Sequence, residues 1–255
     1  MGRIVCVANQ KGGVGKTTTA SNVAAGLAKA GMQTLLVDLD PQCNATTGLG
    51  GIPAETHPLV SEAALSENVV STAVTNLSLL PGSRSVRDVE RIADQARAGS
   101  MVLSNHLSCG LNAWDYCLID CPPSLGELTR TALAGSTEVL MPIQCEYFAL
   151  EGLGKLLNTI RSVQNLQNPD LEMEGILLTM HDSRLRLSNQ IVEEVRQHFQ
   201  NLVFDTIIAR NVRLSEAPSY GEPILVYDAN SKGADNYLNL AREIITRNIK
   251  EVSLN

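Results

Sequence analysis

At 255 residues, with 44% hydrophobic and 4% aromatic side chains, the chain is sized for one large α/β domain or two small ones. Its formal net charge is −7, with acidic excess in both halves, so a broadly cationic nucleic-acid binder is disfavoured and any such contact needs a local basic patch. No apolar run approaches the roughly 20 residues of a spanning helix, and no signal peptide is read at the start. Without a linker, repeat or composition break, one domain over 1–255 is expected.

The first strand-length apolar run is Ile4-Val5-Cys6-Val7-Ala8. It leads into Lys11-Gly12-Gly13-Val14-Gly15-Lys16-Thr17-Thr18, which fits the phosphate-loop pattern G-x-x-x-x-G-K-[ST]. Gln10 stands at that pattern's first position, and a second lysine, Lys11, opens the octet. Glycines let consecutive backbone N–H groups turn inward around a polyphosphate. The following helix, read over 17–30 and closed by Gly31, adds the positive end of its dipole. Lys16 is placed to reach β- and γ-phosphates, and the Thr17 hydroxyl to sit on Mg²⁺.

A second run, Thr34–Val37, enters Asp38-Leu39-Asp40-Pro41-Gln42. Short helices and loops are expected over 42–76, then a strand at Leu77–Leu80 and a helix near 86–97. The strand Tyr116–Ile119 ends in Asp120-Cys121-Pro122-Pro123. A carboxylate just past a buried strand beside a phosphate loop is where Mg²⁺ is held through water, a role that Asp120 fits. Asp40, one loop away, is placed to orient an attacking water. Asp38 has two readings, as a loop anchor or as part of the metal's outer shell.

Strands at Val139–Ile143, Gly175–Thr179 and Val203–Ile208 alternate with helices near 125–134, 149–166, 187–200 and 232–250. Apolar runs without alternation are strands covered on both faces, so the fold class is α/β, a doubly wound and mostly parallel sheet of the P-loop NTPase type. The six cysteines contain no C-x-x-C pair and read as buried free thiols in a reducing compartment. The four histidines form no ligand spacing, although His181 falls near a candidate functional loop.

The octet with its leading lysine, Asp38-Leu39-Asp40-Pro41-Gln42, Asp120-Cys121-Pro122-Pro123, Glu146-Tyr147-Phe148-Ala149-Leu150-Glu151-Gly152 and the stretch Arg210 to Ser219 together resemble the ParA/Soj family. These are deviant Walker-A ATPases of chromosome and plasmid partitioning. The likeness spans nearly the whole chain, is weakest over 50–113, and implies the short form without an N-terminal helix-turn-helix domain. It implies ATP and Mg²⁺ as cofactors. Gly12, Gly13, Val14, Gly15 and Thr18 would join Lys11, Lys16 and Thr17 around the phosphates, with Ala209 and Asn211 at the base. Thr17, Asp40 and Asp120 would surround the metal, while Lys11, Lys16 and Asp40 would act in hydrolysis.

The resemblance also implies a face-to-face homodimer formed on ATP binding, in which Lys11 of each subunit reaches the other's phosphates as an arginine finger does. Non-specific double-stranded DNA would bind the dimer through Arg184, Arg186, Arg213 and Lys232, with Arg210 nearby. A ParB-type protein would stimulate an otherwise weak ATPase, in the bacterial cytoplasm at the nucleoid. Ala209 departs from the family's usual Pro, and Cys43 from its usual Gly; the latter is expected to stiffen the loop after Asp40.

A MinD-like membrane switch is the alternative, resting on the stripe Leu238, Ala241, Ile245, Ile249 and Val252. Glu243 and Glu251 dilute its basic face, so the stripe reads as the fold's closing helix, and no stable membrane anchor is expected. An ATP-gated electron carrier like the nitrogenase iron protein would need paired cysteines in Gly-rich settings, which Cys109 and Cys145 lack.

Overall fold

The computed structural model describes residues 2–61, 65–87, 113–147 and 149–254. Among these residues seven strands form one sheet: β1 (Arg3–Val7), β2 (Thr34–Asp38), β3 (Val70–Ser71), β4 (Leu77–Leu80), β5 (Tyr116–Asp120), β6 (Glu138–Gln144) and β7 (Glu172–Thr179). Their order is β3-β4-β2-β5-β1-β6-β7, parallel throughout except for β3 at the edge. β1 therefore lies between β5 and β6, and the chain leaves it at the centre of the sheet's carboxyl edge, where open α/β sheets bind ligands.

Alternation of side chains along the strands supplies two cores. Ile4, Cys6, Leu35, Val37, Cys117, Ile119, Val139 and Met141 face one side. There they meet α5 (Glu127–Ala134), α6 (Ala149–Leu166) and α7 (Arg186–Phe199). Val5, Val7, Leu36, Leu118, Leu140 and Leu177 face the other, against α1 (Lys16–Lys29) and α10 (Lys232–Leu254). Burial on both faces is why these strands read as continuous apolar runs. α1 and α10 cross closely: a Cβ on Gly26 would stand 2.9 Å from the Cβ of Ala241.

The 42–76 stretch holds α2 (Asn44–Gly48), α3 (Pro58–Ser61), α4 (Leu65–Asn68) and β3, as short elements were expected there. Of the helix expected near 86–97, residues 88–97 lie outside the described residues, as do His106 and Cys109. The remaining cysteines are buried free thiols; Cys6 and Cys121 sulfurs lie 3.4 Å apart.

Two expectations differ from the structure. Val203–Ile208 runs beside β7 but forms only isolated bridges, Ile176 with Val203 and His181 with Ala209. The intervening amides of Asp205 and Thr206 turn away to the Glu243 carboxylate, at 2.8 and 2.9 Å. Phe204 also fills the space above Gly175, where a Cβ would meet its ring at 2.7 Å. In α10 the expected stripe holds in part: Ala241 is buried and Leu238 and Ile245 pack partly buried against the core beside Ala234, Tyr237, Leu240 and Ile244, whereas Ile249 is 62% exposed and Val252 lies outside the described side chains. The most buried face also carries polar groups, and these find partners. The Tyr237 hydroxyl meets that of Thr19 at 3.2 Å, and the Asn248 amide donates to the Tyr116 hydroxyl at 2.9 Å. The helix does close the fold as expected, with the Arg247 guanidinium 4.2 Å over the Phe204 ring. Among the described residues, no helix is long and apolar enough to cross a membrane.

Candidate nucleotide site and switch loop

The loop after β1 is shaped by its neighbours. The Asn9 amide donates to the Pro142 carbonyl at 2.7 Å, and its Oδ1 accepts the Lys11 N–H at 3.0 Å. Gly13 and Gly15 adopt left-handed backbone, φ 73° and 90°, which glycine supplies without a Cβ penalty. From β7 the Thr179 hydroxyl lies 2.9 Å from the Val14 carbonyl and 3.1 Å from that of Ile143, tying the loop to two strand ends. α1 then begins at Lys16, with Gly15 as N-cap, no side-chain cap and no acid in its first turn. Its dipole and amide groups face the loop uncompensated, a setting that favours an anion.

Lys16 is only 6% exposed, and its Nζ donates to the Lys11 carbonyl at 3.1 Å. Burial lowers its pKa, against the attraction of nearby Asp120 and Asp40. Asp120 ends β5 with no exposure, and neither oxygen has a hydrogen-bond partner among the described residues. Burial pushes its pKa well above the carboxylate range, Asp38 adds to that, and the neighbouring Thr17 hydroxyl works against it. Two buried oxygens whose neighbouring Thr17 hydroxyl makes no well-formed hydrogen bond to them are costly unless something else binds them. The residues present therefore fit a hydrated divalent cation between Thr17 and Asp120. Among the described residues no three His, Cys, Asp or Glu side chains could hold a metal unaided, so phosphate oxygens would have to complete its shell.

Asp38 is resolved as a loop anchor: its oxygens accept the amides of Asp40 and Thr46 and the Thr46 hydroxyl. Burial raises its pKa to about 6 despite those bonds. Asp40 Oδ1 accepts the Gln42 N–H at 2.9 Å. Cys43, φ 56°, occupies the left-handed N-cap of α2, a conformation that favours glycine. Lys11, by contrast, is half exposed and its Nζ lies 3.3 Å from Glu146 Oε2.

A cavity of about 490 Å³ adjoins the loop, lined among others by Gly15, Thr18, Met180, Ala209, Asn211 and Pro218. Ala209 donates its N–H to Asn236 Oδ1 at 3.1 Å, a bond that proline could not make. Thr179, Met180 and Asn236 were not among the candidate site residues, and Glu146, quoted in the family-like stretch, was given no role. Thr179 and Met180 were signalled only by lying at the carboxyl end of a buried strand.

The arginines stand apart from the loop. Arg184 is bidentate to Asp182, with Nε–Oδ1 2.9 Å and Nη2–Oδ2 2.7 Å, and the Arg184 hydrogen bonds hold that carboxyl down at about 2. Arg213, at the start of α8 (Arg213–Glu216), pairs with Glu216 at 2.8 Å and Asp228 at 3.5 Å. Arg186 opens α7 and Lys232 opens α10. The His181–Ala209 bridge, with the Arg210 N–H donating to the His181 carbonyl at 2.9 Å, sets the Arg184 and Arg213 segments side by side.

A parallel sheet, a glycine loop at its central carboxyl edge and a buried lysine facing strand-end carboxylates define a P-loop nucleotide-binding protein. The family model described as AAA domain matches residues 2–173. The chain is 48% identical to the sporulation initiation inhibitor protein Soj of Bacillus subtilis, covering 96% of this chain and 98% of that protein. It is 49% identical to the chromosome partitioning protein ParA of Myxococcus xanthus, covering 97% and 89%. Among solved structures it is similar to cobyrinic acid a,c-diamide synthase from Mycobacterium smegmatis with bound ADP and magnesium. The TM-score there is 0.82 at 35% identity, over 95% of this chain and 93% of that one. The chain belongs to the ParA/Soj family of partitioning ATPases.

Proposed function

We propose that the chain is a single-domain, ATP-driven DNA-partitioning switch. ATP would lie along the phosphate loop, with Gly12 to Thr18 around the phosphates, Lys16 on the β- and γ-phosphates, and the base in the cavity beside Ala209 and Asn211. Thr17 and Asp120, with Asp40 behind, would hold Mg²⁺, which when bound neutralises charge on the phosphate oxygens. Asp40 orients the attacking water. The observation that carries this reading is the buried Lys16 at the end of the glycine loop, with the Asp120 and Asp40 carboxylates near enough to attract its charge.

Lys11 gives the dimer reading its support. It is a loop lysine beside the phosphate site, yet it is half exposed and, among the described residues, its ammonium is held by exposed Glu146, so it is available to a second subunit's phosphates. The ATP dimer would offer Arg184, Arg186, Arg213 and Lys232 from both subunits to non-specific double-stranded DNA, and a ParB-type protein would trigger hydrolysis and release. Intrinsic turnover would be slow because Lys11 and the stimulating protein arrive from outside the subunit. Sedimentation of Asp40→Ala tests the assembly step: a dimer with ATP–Mg and a monomer with ADP is the expected result. One mass in both nucleotides would overturn it.

A further inference from the structure

One buried carboxylate closes the loop that carries Asp40. Asp38 Oδ1 accepts the Asp40 N–H at 3.2 Å, at the start of that loop. Its Oδ2 accepts the Thr46 N–H at 2.8 Å and the Thr46 hydroxyl at 2.6 Å, six residues further on. The Thr46 hydroxyl in turn accepts the Gly82 N–H at 2.8 Å, from the segment after β4. No side chain fits at 82, where a Cβ would stand 2.8 Å from Asp38 Cγ. The Thr46 carbonyl continues the connection, accepting the Gly51 N–H at 2.9 Å.

Thr46 is fully buried and lines neither the phosphate loop nor the adjoining cavity. Its hydroxyl does two jobs at once, donating to Asp38 and accepting from Gly82. Asp38 pairs in register with Asp120 on the neighbouring strand, and the Leu39 N–H donates to the Asp120 carbonyl at 3.0 Å. The clamp thus indexes the Asp40 loop against the strand end that faces Lys16. Within the loop, the Cys43 N–H donates to the Asp40 carbonyl at 2.8 Å, so a shift at either end moves Asp40 itself.

We propose that Thr46 is a positioning residue for hydrolysis: acting through Asp38 and Gly82, it fixes where the Asp40 carboxylate stands. The inference rests on the reading of Asp40 as the group that orients the attacking water. Serine can make both bonds of the hydroxyl; valine, of the same shape, can make neither.

The test compares wild type, Thr46→Val, Thr46→Ser and Asp40→Ala by ATP–Mg calorimetry and single-turnover hydrolysis. Thr46→Val should bind ATP within about 3-fold of wild type, the mark of a change confined to the transition state. Its hydrolysis should slow by about 10- to 100-fold, since a misplacement of about 1 Å costs on the order of 10²-fold. Thr46→Ser should hydrolyse within about 3-fold of wild type, because it keeps the donor and the acceptor. Hydrogen exchange on wild type is independent of any variant's folding: the Asp40 and Thr46 amides should exchange more slowly than that of Asn44, at the exposed start of α2. Wild-type hydrolysis by Thr46→Val, a Thr46→Ser as slow as Thr46→Val, loss of ATP affinity in parallel with rate, or unprotected Asp40 and Thr46 amides would each overturn the proposal. A wild type that binds ATP but never hydrolyses it would instead remove the proposed function, leaving the clamp to be judged by exchange.

Discussion

Lys16→Ala probes the phosphate loop with least ambiguity. The ammonium is buried, its ground-state hydrogen bond goes to the Lys11 carbonyl, and burial lowers its pKa against the pull of Asp120 and Asp40. Facing two phosphates it would make two charge-assisted hydrogen bonds, each contributing about 1.5–3 kcal/mol. The loss of about 3–6 kcal/mol corresponds to a rise of about 10²- to 10⁴-fold in Kd. In nucleotide-free protein the change is smaller, because removing a desolvated cation offsets the loss of its attraction to the two carboxylates. Denaturant unfolding with and without ATP–Mg separates the two effects. At a concentration about 100 times the wild-type Kd, wild type should gain about 2.7 kcal/mol and the variant no more than about 0.4 kcal/mol. A variant that gains as much as wild type would refute the assignment of Lys16 to the phosphates.

Asp40→Ala should bind ATP and still dimerise while hydrolysing about 10²- to 10⁴-fold more slowly, as for loss of a positioned general acid–base group; an unchanged single-turnover rate would sink it. Arg184→Ala with Arg213→Ala removes four cations per dimer, so the slope of log affinity against log salt should flatten by about 3.6 if all four meet phosphates. An unaltered slope would place the DNA surface elsewhere. Asp120→Asn should remove most of the stabilisation by ATP–Mg, and its apo stability carries a pH signature. Because the folded carboxyl's pKa is raised, its contribution to stability is fully present below the unfolded value of about 3.8 and is lost as pH rises through the folded value. The melting temperature of the variant minus that of wild type, in chelator, should therefore climb as pH rises above about 4. A flat difference would show that the Asp120 carboxyl is not the group titrating.

The positions of the glycine loop, Asp40 and Asp120 were legible because each follows an apolar run, and a strand end in a parallel sheet has one place to point. What stayed illegible depends on contacts between distant segments. Thr179 reaches Val14 across 165 residues, and Asn236 reaches Ala209 across 27, with no local signal for either. The 203–208 segment reads as a strand from its apolar residues, but its pairing is broken by Glu243, a charge on another element. The face of α10 was legible only in part for a related reason. Hydrophobic periodicity does not register a buried Tyr237 or Asn248 whose polar atoms are satisfied by Thr19 and Tyr116. Ion pairing of the candidate arginines with Asp182 and Glu216 was equally invisible, and it means that DNA phosphates would have to displace carboxylates.

Retention of the wild-type protein on non-specific double-stranded DNA, measured with ATP–Mg, with ADP–Mg and without nucleotide, tests the switch most directly. An acidic monomer whose Arg184 and Arg213 are already paired offers few cations, and pairing two subunits doubles them. Retention with ATP–Mg alone, lost on addition of salt, is the predicted result. Equal retention in all three conditions, or none in any, would contradict the claim that ATP builds the DNA-binding surface.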